Sequence, residues 1–155
     1  MIMELNFTEV IPQEGLGDLK FGMTRNEVKK LLGEPDEIEN MNDIDDEMDD
    51  EEPDYVWHYD ELEISISFGN HPQSVMKYIA ASSPDVELWG EKLINRNFKD
   101  VLKVITQNNA GKYETQKFEE DGSTIIFLFF PDIETGFWFE NDYLTEIQWG
   151  PELPE

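Results

Sequence analysis

Leu62, Ile64, Ile66 and Phe68 alternate with Glu61, Glu63, Ser65 and Ser67. A period of two puts one set on each face of an extended chain, so this stretch predicts a half-buried strand. Further strands are predicted over 55–59 and 75–81, and in the second half over 113–118, 124–130, 134–140 and 143–149. Turn-forming residues separate them at Gly69-Asn70-His71-Pro72, Asp121-Gly122, Pro131-Asp132 and Asn141-Asp142. The run Thr124-Ile-Ile-Phe-Leu-Phe-Phe130 has no polar alternation, which predicts a strand covered on both faces or lying at a junction between units. Two stretches change period. Val28, Leu31 and Leu32 recur at helical spacing, with Arg25, Lys29 and Lys30 on the other side. Thr24 followed by Glu27 makes a capping box, in which each side chain bonds the other residue's free backbone N–H. Gly33 and Pro35 then stop the helix. Asn97 with Asp100 opens a second helix through Val101, Leu102, Val104 and Ile105, closed by Asn108-Asn109-Ala110-Gly111. The glycine-punctuated stretch from Gly15 to Gly22 reads as a turn or short strand.

A helix followed by strands therefore occurs twice. Laying the second half on the first places Val28 on Val101, Lys30 on Lys103 and Leu32 on Ile105; Leu62, Ile66 and Phe68 fall on Ile133, Phe137 and Phe139. This order predicts an α+β fold of tandem helix plus antiparallel-sheet units, about 15–85 and 91–150, within a single compact domain spanning 1–155. One continuous α+β domain without duplication is the alternative.

The stretch Leu19-Lys-Phe-Gly-Met-Thr-Arg-Asn-Glu-Val-Lys-Lys-Leu-Leu-Gly-Glu-Pro35 resembles the opening motif of small bacterial proteins with the β-lactamase-inhibitor-protein-like fold. The SmpA/OmlA outer-membrane lipoproteins open in a similar way. Ser82-Ser-Pro-Asp-Val-Glu-Leu-Trp-Gly90 resembles a segment of bacterial proteins that include candidate immunity proteins. The resemblance implies a β-lactamase-inhibitor-protein-like arrangement and a role in inhibition or assembly. This chain departs from the pattern by lacking a lipid-anchor Cys and by carrying an acidic insertion at 36–54, so neither an envelope-lipoprotein role nor inhibitor contact residues carry over. The motif also has a physical reading. Gly22 permits the turn into the helix, Thr24 caps it, and Gly33 and Pro35 end it, so these residues serve the fold rather than chemistry.

Charge narrows the partners. The chain carries 36 acidic and 11 basic side chains, a net charge of -25. Twelve of the acids fall in the nineteen positions from Asp36 to Asp54, where no Lys or Arg stands. Such a run repels itself and is too costly to bury, which predicts a solvated loop, an exposed helix or a tail-like insertion. Nucleic acid and anionic membrane share its sign and are excluded as partners; a basic protein is the partner it would attract. Hydrophobic residues at 39% still suffice for a packed interior, and the absence of cysteine excludes disulfides and thiolate sites. With no basic, apolar leader near the N-terminus and no stretch of membrane-spanning length, the chain reads as cytoplasmic.

Catalytic constellations are thin. His58 lies between Trp57 and Tyr59 in an aromatic strand, and His71 precedes Pro72 in a turn, so both read as structural or exposed. No serine stands in a glycine elbow and no phosphate loop is present. Asp43, Asp45 and Glu47 have the spacing of the first ligands of a calcium loop, but Met48 replaces the glycine and Asp54 the glutamate such a loop requires, so no metal site and no cofactor are expected. Ile38, Met41, Ile44 and Met48 share one face at helical spacing, which leaves two readings open: an acidic amphipathic helix ordered by a basic partner, or a solubilising loop. If Phe137 and Phe139 face the core, Trp138 points the other way, and inward Leu62, Ile64 and Ile66 leave Ser65 and Ser67 as a small-residue platform.

These features predict a non-enzymatic protein-binding module, an immunity-type inhibitor of a basic toxin or nuclease. Its contact residues would be Asp43, Asp45, Asp46, Glu47, Asp49 and Asp50 for steering, with Trp138, Ser65 and Ser67 for anchoring. The alternative is a structural or assembly partner in a bacterial complex that binds through its apolar sheet face. Oligomeric state is not legible from the sequence.

Overall fold

The computed structural model describes residues 7–40, 55–69 and 75–150. Helix α1 (Arg25–Leu32) begins where the local signals place it: Thr24 Oγ1 accepts from the Glu27 N–H at 3.2 Å, and Glu27 Oε1 accepts from the Thr24 N–H at 3.0 Å. Helix α2 (Phe98–Gln107) begins with Asn97 Oδ1 accepting from the Asp100 N–H at 2.9 Å. Each helix inserts valines into the core, Val28 from α1 and Val101 and Val104 from α2.

The described residues also form twelve strands: β1 (Glu9–Ile11), β2 (Gly15–Leu16), β3 (Leu19–Lys20), β4 (Glu37–Asn40), β5 (Tyr55–Tyr59), β6 (Ile64–Phe68), β7 (Met76–Ala81), β8 (Glu87–Leu88), β9 (Glu114–Glu120), β10 (Ser123–Phe130), β11 (Thr135–Glu140) and β12 (Tyr143–Trp149). Eight form one antiparallel sheet in the order β4-β5-β6-β7-β12-β11-β10-β9. The other four form a small sheet in the order β3-β2-β1-β8, with β1 and β8 parallel. Strand takes up 48% of the structure and helix 17%.

This corrects the expected fold class. The molecule is mostly β, and the expectation of α+β tandem helix plus antiparallel-sheet units in a β-lactamase-inhibitor-protein-like arrangement does not hold. Two causes account for the error. The strands of both halves hydrogen-bond across β7 and β12, where Ile147 faces Ala81 and Trp149 faces Ile79, so the large sheet is continuous. The small sheet is built from strands of two or three residues, too short to carry a periodic signal. The acidic run also begins differently from expectation, because its residues 37–40 form edge strand β4, paired with β5 from Glu37–His58 to Asn40–Tyr55. Ile38 therefore sits in a strand and leaves the helical face drawn for it.

The inner face of the large sheet carries Trp57, Ile66, Ile79, Leu128, Phe137, Phe139, Ile147 and Trp149, in one hydrophobic core with α1, α2 and the small sheet. In β12 a register shift opposite Trp138 and Phe139 turns both Leu144 and Ile147 inward. Phe127 and Phe129 belong to a separate cluster with Tyr78 and Trp138, on the outer face. Both faces of β10 are thus buried toward its end. Among the described residues no helix is long and apolar enough to cross a membrane.

Tyr59 ties β5 to the end of α1, its hydroxyl donating to the Gly33 carbonyl at 2.9 Å. Burial, reinforced by Glu34 and Asp36, pushes its phenol up from 10.0 to about 12. The folded chain thus holds this proton more tightly than the unfolded chain. Its contribution to stability is complete below about pH 10 and is lost as pH rises through the folded value. Tyr59→Phe is expected to cost about 1 kcal/mol at neutral pH through the lost hydrogen bond. It should also flatten the fall in melting temperature from pH 10 to 12. Thermal melts in alkaline buffers check this, and equal falls in both proteins would refute it.

Candidate functional site

Strand pairing gathers onto the outer face polar residues that are scattered in sequence. Registers Glu37–His58, His58–Ser65, Ser65–Ala80 and Ala80–Gln148 run across five neighbouring strands, all on the side away from the core. Above this row lies a groove of about 480 Å³. Small side chains, Ser65 and Ala80, line it together with five carboxylates: Glu37 and Glu39 of β4, Asp60 and Glu63 of the β5–β6 turn, and Glu146 of β12. Among the described residues no Lys or Arg lines it; His58, paired with Glu39, is its one basic side chain.

His58 stands in the groove between two partners. Its Nδ1 lies 2.6 Å from Ser65 Oγ and its Nε2 2.5 Å from Glu39 Oε1. With the neutral ring, Nε2–H donates to Glu39 and Nδ1 accepts from the Ser65 hydroxyl; the protonated ring donates to both. The order serine, imidazole, carboxylate matches a nucleophilic triad, but its surroundings do not. Ser65 lies mid-strand, paired with both His58 and Ala80, where the backbone N–H groups belong to sheet ladders rather than to an oxyanion hole. The acidic lining would also repel a developing oxyanion.

Beyond Glu146 the groove meets a smaller hollow of about 180 Å³, lined by Ile125, Trp138, Phe139, Glu140, Thr145 and Glu146. Trp138 packs on Phe127 at 4.5 Å between ring centroids and edge-on against Phe118 at 6.0 Å. Gly136 makes room for this stack, since a Cβ there would lie 2.4 Å from the Phe127 ring. The Trp138 indole N–H is buried without a hydrogen-bond partner among the described residues. The outer face is thus acidic at one end and aromatic at the other, joined through Glu146.

Of the residues the sequence singled out, Trp138 is half-buried on this face and Ser65 lines the groove. Ser67 lies on the same face but is only 4% exposed, so it offers no platform. Asp43, Asp45, Asp46, Glu47, Asp49 and Asp50 lie outside the described residues, as does His71. Sequence reasoning missed Glu37, Glu39, Asp60, Glu63 and Glu146, and it assigned His58 no role in a site. The alternation Glu37-Ile38-Glu39 was the available signal, masked by the charge run around it. Among the described residues no group of three metal-ligating side chains is placed to hold an ion.

Comparison of the chain with protein-family models, curated proteins and solved structures gives no match.

Proposed function

We propose that this protein is a non-enzymatic binding module that engages a basic protein through the outer face of its large sheet, in the manner of an immunity-type inhibitor. The observation that carries the reading is the groove of five carboxylates with no Lys or Arg among its described lining residues, adjoining the Trp138 hollow at Glu146. Several like charges gathered on one surface repel one another, and a cationic partner is electrostatically complementary to them. The net charge of -25, including Asp43 to Asp50, steers such a partner from a distance. Trp138 and the rings behind it supply the apolar anchor that complements charge at interfaces.

Affinity capture from lysate of the source organism, washed at low and then high salt, tests the reading. The wild type is compared with a Glu37→Gln, Glu39→Gln, Glu146→Gln triple variant. The expected result is a basic protein retained by the wild type, released by salt and lost from the variant. Its association rate should fall at least about tenfold from low to physiological salt. Equal capture by the variant, or a rate flat with salt, would refute the charge mechanism. A partner that survives high salt and depends on Trp138 would favour the assembly role instead.

A further inference from the structure

We infer that the outer face takes an extended, cationic peptide segment lying across the strands, with Lys or Arg side chains in the acidic groove and an apolar side chain in the Trp138 hollow. This rests on the binding reading above and specifies the chemistry and shape of what is bound.

Three features of the surface lead there. The groove crosses the sheet from β4 to β12, with Glu37 and Glu39 at one end and Glu146 at the other. Glu146 also lines the Trp138 hollow, so the acidic groove and the hollow adjoin at that side chain. From β4 to β11 there are five strand spacings, about 24 Å, which an extended chain of about seven residues spans.

Side chains of an extended peptide alternate, so every second one points at the sheet, about 7 Å apart. Successive downward positions would then meet the β4 carboxylates, the Asp60 and Glu63 corner, Glu146 and finally Trp138. Charge sets the sign of the first positions. At the last position Ile125 and Trp138 present apolar surface that a leucine side chain covers, beside Glu140, Thr145 and Glu146. Small side chains at Ser65 and Ala80 keep the middle of the groove low enough for a backbone to pass. His58 is fixed between Ser65 and Glu39 and holds the Glu39 carboxylate in place.

The test uses fluorescence anisotropy at low ionic strength with a labelled peptide of about seven residues, alternating Lys and Ser and ending in Leu. Comparison probes are the same peptide ending in Ser, and spermine as a competitor. The Leu peptide is expected to bind about fivefold tighter than the Ser peptide. Trp138→Ser should abolish that preference while retaining binding of the Ser peptide, and Ile125→Ser serves the same purpose if the first variant folds poorly. Glu39→Gln with Glu146→Gln should weaken both peptides about tenfold. Equal affinity for the two peptides, displacement by spermine as effective as by the Leu peptide, or a preference unchanged in both hollow variants would overturn the inference. If a basic protein is captured as described above but neither peptide binds, the peptide inference fails and the binding reading stands; if nothing basic binds, both fail.

Discussion

Trp149→Ala is expected to destabilise the fold by about 3–5 kcal/mol, the range for truncating a fully buried large aromatic side chain. Trp149 is 0% exposed and ends β12, where its backbone pairs with Thr135 on one side and Ile79 on the other. Its indole N–H donates to the Gly15 carbonyl of β2 at 2.8 Å, which joins the large sheet to the small one. Truncation would open a cavity at the centre of the core and leave the Gly15 carbonyl without that donor. Trp149→Phe separates the two effects, since it keeps most of the ring and should cost about half as much. Urea denaturation of the three proteins measures both values. A loss below about 1 kcal/mol for Trp149→Ala would show that the core closes over the site, contrary to this account.

Gly15→Ala should be comparably severe, at about 3 kcal/mol or more, although it adds a single methyl group. Gly15 has φ +150, and a Cβ there would lie 1.9 Å from the Leu19 carbonyl oxygen and 2.8 Å from its carbon. Those atoms are backbone in the facing strand of a two-residue pairing, Gly15 with Lys20 and Leu16 with Leu19, so no side-chain rotation relieves the clash. Strands β2 and β3 must separate, and the carbonyl that receives the Trp149 indole must move with them. Both substitutions therefore act on one junction. The double variant is expected to lose less than the sum of the two single losses, because residues sharing a contact are not additive. Since a domain of this size is stable by only about 5–15 kcal/mol, either change should also lower the urea midpoint markedly. Additive losses would show that the indole contact and the Gly15 packing are independent.

The two helices were legible in advance because caps and stops act over three or four residues. Thr24 with Glu27, and Asn97 with Asp100, make in the folded chain the hydrogen bonds their spacing announces. The strand after each long alternation was legible for the same reason, as at Ile64–Phe68, although Leu62 lies in the preceding turn. The outward direction of Trp138 followed from its buried neighbours Phe137 and Phe139. Strands β1 and β8 escaped, and β2 and β3 were legible only as a turn or short strand between Gly15 and Gly22, because two or three residues show no period. Strand β4 escaped because Glu37 and Glu39 looked like part of a solvated run until β5 was there to pair with them.

The acidic site was hidden for a different reason. Glu39, His58 and Ser65 stand on three strands, and Glu146 joins them only because β7 pairs with β12. Ser67 shows the converse: alternation placed it on the outer face, yet its surroundings bury it to 4% exposure. The sequence by itself determined where the helices begin and end, which faces of the long strands are apolar, and the strongly acidic balance of the chain. These depend on neighbours a few residues away or on composition. Only the tertiary structure decided that the two sets of strands merge into one sheet, that a second small sheet is pinned to it through Trp149 and Gly15, and that scattered carboxylates line a single groove. Those outcomes depend on contacts such as Trp149 to Gly15, 134 positions apart, whose formation is set by the packing of the whole core.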